Sequence, residues 1–261
     1  MLLVSPGADG TVPRLRRVVG RTLARSCARR PAVLPDDFPP TVSFTFDDFP
    51  ASAVDAAGPI LRDANMAATW YVASGLLGQP SAVGTIASPD QVARLHAAGH
   101  EIGDHTCRHL DARAVAAEDY GRDIDDNRRV LADLLPGHAV RSFSYPFGGV
   151  TVGAKRAAMA RAVTCRSTMA GIARGSVDLA LLPANPLYED AAWLAAARDV
   201  IGRLAATGGW AIFYTHDVTP FPSPWGCSPA SFAALVAAIG RAGLRVATVG
   251  AVAGEIAPAS A

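Results

Sequence analysis

From Pro39 onward, short runs rich in β-branched and aromatic residues alternate with longer stretches whose apolar positions recur three and four apart, each pair taking about 25 to 40 residues. The short runs predict strands at 42–47 (VSFTFD), 68–73 (ATWYVA), 100–104 (HEIGD), 140–145 (VRSFSY), 162–167, 179–183, 210–215 (WAIFYT) and 244–249 (LRVATV). The longer ones predict helices at 52–64, 89–98, 116–134, 152–161, 190–206 and 229–242. Ser88-Pro89 and Ser228-Pro229 mark two helix starts, because a serine hydroxyl caps free amide groups and the fixed φ of proline suits the first turn. This βα rhythm places the chain in the α/β class, and eight strands suit a closed barrel. No repeat of about 20 to 50 residues and no Pro/Ser-rich linker breaks the run. One catalytic-size domain is therefore expected over 39–255, with a basic, flexible extension over 1–38 and a frayed tail over 256–261.

Composition narrows the class of protein. Of 261 residues, 50% are hydrophobic and 18% charged, which excludes a disordered chain. No apolar stretch approaches the roughly 20 residues that span a bilayer. The net charge of +1 conceals a division: residues 1–30 carry seven arginines against Asp9, leaving the remainder acidic. The catalytic region thus has no field to hold nucleic acid. Within residues 13–30, Leu15, Val19 and Leu23 fall four apart beside Arg14, Arg17, Arg21 and Arg25. That pattern suggests a basic amphipathic helix making weak contact with an anionic membrane surface; a loosely docked extension or a misassigned start codon would read the same way. A secretory signal has its basic residues before its apolar ones, the reverse of the order here, so a cytoplasmic location is expected. The four cysteines, Cys27, Cys107, Cys165 and Cys227, are widely spaced and form no C-x-x-C pair, which fits reduced thiols.

Polar features cluster where the expected strands end, and in a parallel barrel those ends open on one face. After the first strand stand Asp47 and Asp48. Two adjacent carboxylates there are costly to bury without a cation, backbone donors or water, although an acidic turn or helix cap would account for the pair alone. The third strand leads into His105 and His109, four apart, the spacing at which two imidazoles can grip one metal; such a spacing also arises by chance. Thr106 stands where a zinc protease would carry glutamate. One Asp with two His makes a facial site with open positions. Ser144-Tyr145-Pro146-Phe147-Gly148-Gly149 follows the fourth strand and Thr215-His216-Asp217 the seventh. The proline and glycines would turn the chain sharply and present an amide N–H to a ligand.

Taken together, TFDD, AGHEIGDHTCRH, FSYPFGG and FYTHD resemble, in order and separation, the polysaccharide deacetylases of carbohydrate esterase family four, a group that includes the nodulation-type chitooligosaccharide deacetylases. The resemblance covers about residues 41 to 250. It implies a distorted, TIM-like (β/α) barrel of seven or eight strands and metal-dependent removal of an N-acetyl or similar acyl group from an amino sugar in an oligo- or polysaccharide. By matching positions, Asp48, His105 and His109 would bind one divalent metal, with Zn²⁺ foremost and Co²⁺, Fe²⁺ or Ni²⁺ also fitting. Asp47 would be the general base and His216 the general acid. Phe147 matches the aromatic residue whose backbone N–H helps hold the oxyanion, and Tyr145, Pro146 and Gly148 shape that loop. The implied partner is a carbohydrate bearing an N-acyl amino sugar. A deformylase or other small-amide hydrolase on the same scaffold, and a non-catalytic carbohydrate-binding barrel, remain open at this level.

Two positions depart from the family pattern. Many members carry an arginine two residues before the proline of the third motif, where it tethers the base; here that residue is Ser144. Arg166, near the end of the fifth expected strand, is the expected replacement, with an ordinary surface arginine as the alternative. The aspartate–tryptophan element usual later in the chain also has no clear match. Trp70, Tyr71, Phe221 and Trp225 offer flat faces for stacking on sugar rings, or, for the first two above all, core packing. No G-x-S-x-G occurs, which disfavours a serine hydrolase.

Overall fold

The computed structural model describes residues 26–256. Its strands are β1 (Pro31–Val33), β2 (Thr41–Asp47), β3 (Thr69–Val72), β4 (Pro80–Ser81), β5 (Gly84–Thr85), β6 (Glu101–Asp104), β7 (Ser142–Ser144), β8 (Thr164–Arg166), β9 (Ser176–Asp178), β10 (Asn185–Pro186), β11 (Trp210–Thr215) and β12 (Arg245–Val246). The α-helices are α1 (Ala51–Asp63), α2 (Pro89–Ala97), α3 (Ala117–Leu134), α4 (Val152–Met159), α5 (Ala191–Thr207), α6 (Pro229–Arg241) and α7 (Val249–Ile256). Helix α2 opens on a capping box, in which the Ser88 hydroxyl accepts from the Gln91 N–H and the Gln91 side chain accepts from the Ser88 N–H. Helix α6 opens on Ser228 in the same position, accepting from the Ser231 N–H.

The strands β10, β11, β2, β3, β6, β7 and β8 lie side by side, all parallel, and β12 pairs with the first residues of β2. The segment between β9 and β10 spans from β8 to β11. Leu182 bridges Arg166 in parallel, and the Leu187 N–H reaches the Tyr214 carbonyl at 2.8 Å. The result is a distorted (β/α) barrel, as expected from the βα rhythm.

Every residue of β2 is buried because both faces of the strand are covered. Val42, Phe44 and Phe46 point outward into the main apolar core, which the helices complete with Leu61 and Phe232. With a period of two, Ser43, Thr45 and Asp47 must face inward. The interior is accordingly polar: the Trp210 indole donates to Ser43 Oγ at 2.9 Å, and Thr45 Oγ1 donates to the Phe213 carbonyl at 2.9 Å. Asp47 is the last inward-facing residue of the strand and sits at the mouth.

Three expectations need correction. The strand placed at 179–183 makes only the single bridge at Leu182, and ladder pairing resumes at β10; Pro183, which has no N–H to donate, stands between the two. The run 244–249 stops pairing at Val246, and Val249 instead begins α7. Its buried residues Val249, Val252, Ala253 and Ile256 have helical spacing, which the local richness in valine disguised as strand. Residues 30–38, expected outside the barrel, pack on it. Strand β1 pairs antiparallel with β9, and Ala32, Leu34 and Phe38 join a cluster with Val249, Val252 and Ile256. The Arg30 guanidinium donates to the carbonyls of Met159, Ala162 and Val163 beyond α4, where the helix end presents free acceptors. Lys155, the one lysine of the chain, is fully buried and donates to Asp178 at 2.6 Å and to the Cys27 carbonyl at 3.2 Å. The small strands β1, β4, β5 and β9 are too short to leave a periodic signal.

Of the amphipathic pattern at 13–30, residues 13–25 lie outside the described residues, as does the tail from 257. Among the described residues no helix is long and apolar enough to cross a membrane. All four cysteines are free.

Leu34 is 3% exposed, so Leu34→Ala is expected to lower the unfolding free energy by about 2–5 kcal/mol, measured by urea denaturation. A loss below about 0.5 kcal/mol would mean that the segment before β2 is not docked.

Candidate metal centre and reaction cleft

The two adjacent aspartates part company because the strand ends between them. Asp47 keeps the inward direction of β2, whereas Asp48 takes a left-handed φ of 43° and turns out of the ladder. Of the six non-glycine residues with positive φ among the described residues, Asp48, Thr106, His109 and Phe147 all belong to the loops at this mouth. Each such conformation costs on the order of 1–3 kcal/mol, and loops held by a rigid barrel can sustain it where side chains must be aimed.

Asp48, His105 and His109 bring one ligand atom each to within 4.8 Å of one another. The Asp48 carboxylate lies 2.8 Å from His109 Nε2 and 3.9 Å from His105 Nε2. His105 Nδ1 is 2.8 Å from the Ser144 carbonyl, which can only accept. The proton of the neutral ring is thereby placed on Nδ1, leaving the Nε2 lone pair toward Asp48, the second contact that ligating histidines usually have. Burial pushes the His105 pKa down, to about 4 against the pull of the two aspartates, so the ring is neutral near pH 7. Burial would raise the Asp48 carboxyl, but His105 and His109 outweigh it and hold it at about 2. Asp48 Oδ1 is buried without a hydrogen-bond partner. An orphaned, ionised carboxylate oxygen beside two imidazoles fits a divalent cation.

Asp47 has a different environment. The Arg166 guanidinium donates to both Asp47 Oδ2 and Ser144 Oγ, and Ser144 Oγ stands 3.5 Å from Asp47 Oδ1. Ser144 and Arg166 are register partners on β7 and β8, so their side chains emerge side by side in the barrel. Arg166 is wholly buried, with its guanidinium carbon 5.3 Å from the Tyr71 ring centroid and 5.0 Å from that of Tyr214. Burial works to raise the Asp47 pKa; Arg166 first, then His105 and His216, overcome it and hold the carboxyl below its ordinary range. A guanidinium from the neighbouring strand thus reaches Asp47 beside Ser144. Arg166 is not a surface arginine.

His216 lies at the end of β11, with Nδ1 3.2 Å from the Trp225 carbonyl. Asp217 is buried and takes hydrogen bonds from the Ser223 N–H at 2.7 Å and the Ser223 hydroxyl at 2.5 Å, which ties back the loop carrying Trp225. Asp47, Asp48, His105, His109 and His216 all line one cleft of about 500 Å³. Phe147 and Trp225 flank it, the Phe147 ring 4.3 Å from that of His109. Gly148, at φ 60°, lies against Thr168, and a Cβ there would collide with the threonine hydroxyl.

Other expected residues are set more deeply. Tyr145 also lines the cleft, but its phenol is buried and donates to the Ala180 carbonyl at 3.1 Å, and Pro146 is buried beside it in the same loop. Trp70 stacks on Phe46 at 3.9 Å in the core, and Tyr71 fills the barrel against Arg166. The sequence reading missed Tyr188, Tyr214 and Thr168, and a wall formed by Leu76, Val83 and Ile86 around the β4–β5 hairpin. Tyr214 was legible as the alternate neighbour of Ile212 on an inward face; the others sit on irregular backbone without a pattern.

Comparison with known proteins bears on the family and the fold. Residues 36–164 match the family model described as polysaccharide deacetylase. A chitooligosaccharide deacetylase of Sinorhizobium fredii is 29% identical over 112 residues, 42% of this chain and 47% of that protein, so the match spans about half the length of the curated relative. Among solved structures, a putative polysaccharide deacetylase from Mycobacterium smegmatis superposes with a TM-score of 0.65 at 17% identity, covering 86% of this chain and 93% of the other. The chitin deacetylase of Colletotrichum lindemuthianum gives 0.58 at 21% identity, covering 84% and 89%. These two likenesses concern the fold, while the motifs and the family model concern descent. The chain thus carries, over residues 36–164, a polysaccharide deacetylase domain.

Proposed function

We propose that this protein hydrolyses the N-acyl amide of an amino sugar within an oligo- or polysaccharide, with Asp48, His105 and His109 holding one divalent ion, Zn²⁺ by preference. The observation that carries the reading is the division of labour between two neighbouring aspartates: one paired with a buried guanidinium, the other left for a cation. Bound by these three residues, a divalent ion would supply polarisation of the acyl oxygen and a lowered pKa, toward about 7, for the attacking water. Asp47, ionised and fixed by Arg166, takes the proton of the attacking water. The Phe147 N–H is the donor to the oxyanion, a contact whose loss typically costs roughly 3–4 kcal/mol. His216 delivers a proton to the leaving nitrogen. Because its Nδ1–H is directed at the Trp225 carbonyl, the transferable proton is the one on Nε2. Arg166 acts through Asp47 as a positioning residue: its fork and the Ser144 hydroxyl fix the carboxylate, and its charge keeps that carboxylate deprotonated.

Purified protein is expected to release acetate from N-acetylglucosamine oligomers, to stop on chelation and to resume when Zn²⁺ or Co²⁺ is restored. His109→Ala should lose the bound metal as well as turnover, read by elemental analysis. Metal retention and glycan binding without acyl release from any amino sugar would replace this reading with a binding barrel.

Arg166→Ala is expected to lower kcat by about a hundredfold or more through misplacement of the base, with metal content retained. The paired change Ser144→Arg with Arg166→Ser moves the guanidinium to the adjacent strand and should recover part of the loss. A folded, metal-loaded double variant no better than Arg166→Ala would count against a positioning role.

A further inference from the structure

An exposed aromatic side chain is informative where several share one surface, and among the described residues four are exposed: Phe147 at 62%, Trp193 at 44%, Phe221 at 94% and Trp225 at 45%. All four lie on loops or a helix start following barrel strands, on the face where the cleft opens. Phe147 stands on the His109 side. The other three belong to the His216 side, on two connections that are tied together. The Glu189 N–H donates to the Gly226 carbonyl at 2.9 Å, while the Glu189 carboxylate takes the Ser228 N–H at 2.6 Å and the hydroxyls of Ser228 and Ser231 at 3.1 Å each. Trp225 is thereby braced from one side by Glu189 and from the other by Asp217 through Ser223.

Trp193, in the first turn of α5, continues this surface outward. Its ring meets that of Tyr188 edge-on at 6.0 Å, and Tyr188 meets Tyr214 in the same manner at 5.7 Å. Tyr188 and Tyr214 line the cleft. An aromatic path therefore runs from the cleft to the exterior on the His216 side, and hydrogen bonds within the protein hold its backbone. Among the described residues, no lysine or arginine lines the cleft, and on this rim the Glu189 carboxylate is occupied by serine donors. Such a surface suits a neutral ligand with flat apolar faces, and it is continuous with the cleft where the amide would be cleaved.

We infer that Trp193, together with Trp225, forms an outer subsite that stacks a second or third sugar ring, so that a neutral oligosaccharide runs from the reaction centre past His216 toward α5. The identity of the sugar rests on the proposed N-acyl hydrolase reading; the direction and the role of Trp193 rest on the rim itself. A pre-ordered aromatic platform loses little conformational entropy on binding, and truncating one such anchor commonly costs more than 1 kcal/mol.

The test is a calorimetric titration of the full chain with N-acetylglucosamine and with its trimer, alongside initial rates on both. The wild type is expected to bind the trimer more tightly than the single ring. In Trp193→Ala that preference should fall by roughly five- to tenfold, chiefly through KM in the kinetic arm, and Trp193→Tyr, which keeps a ring at the site, should restore most of it. Val130→Ala, which truncates an exposed residue of α3 away from the cleft, should leave the preference as in the wild type. A wild type with no preference for the trimer, or a Trp193→Ala protein with the full preference and an unchanged thermal midpoint, overturns the inference. Trimer binding that depends on Trp193 without acyl release strikes the hydrolase reading alone.

Discussion

A guanidinium and a carboxylate enclosed within a protein must each give up water, at several kcal/mol per ion, and the pair persists only where geometry and further hydrogen bonds offset that cost. Arg166 and Asp47 impose this condition on the whole barrel. It is met by the Ser144 hydroxyl, by the Ser167 carbonyl at 3.0 Å from Arg166 Nη1, and by the rings of Tyr71 and Tyr214 over the cation. The interior must in turn leave room for those rings. Gly103 does so, since a Cβ there would strike the Tyr71 ring and the Ser142 hydroxyl. An apolar interior of equal volume would pack as well, but it would not orient a carboxylate.

The same pair leaves the neighbouring aspartate in different surroundings. One guanidinium compensates one carboxylate, and Asp48 meets only imidazoles, one of them kept neutral by burial. Its left-handed backbone removes it from the interior, and the parallel strain at Thr106, His109 and Phe147 shows the same trade at the other loops. The barrel supplies rigidity and the loops carry the strained conformations, a separation that lets aiming be decided locally without loosening the core.

Much of this was legible from residue patterns. Strand β2 and strand β11 were placed nearly to the residue, because each is a short run rich in β-branched and aromatic residues bounded by turn residues. The serine–proline helix starts were equally plain. The different roles expected of Asp47 and Asp48 came from the family resemblance, and the end of β2 between them gives the two carboxylates different surroundings. Trp193 left no signal, because a lone tryptophan in an alanine-rich helix says nothing about which loop it will meet.

What the sequence by itself determined is the βα order, the polar motifs at strand ends and the family resemblance those motifs carry, since these depend on residues read along one chain. Tertiary structure decided that Arg166 lies beside Ser144, that residues 30–38 pack on the barrel, and that the exposed aromatics gather around one mouth. The reason is common to all three: each is set by strand register and by loop contacts between residues far apart in the chain, and no local pattern encodes the distance between them.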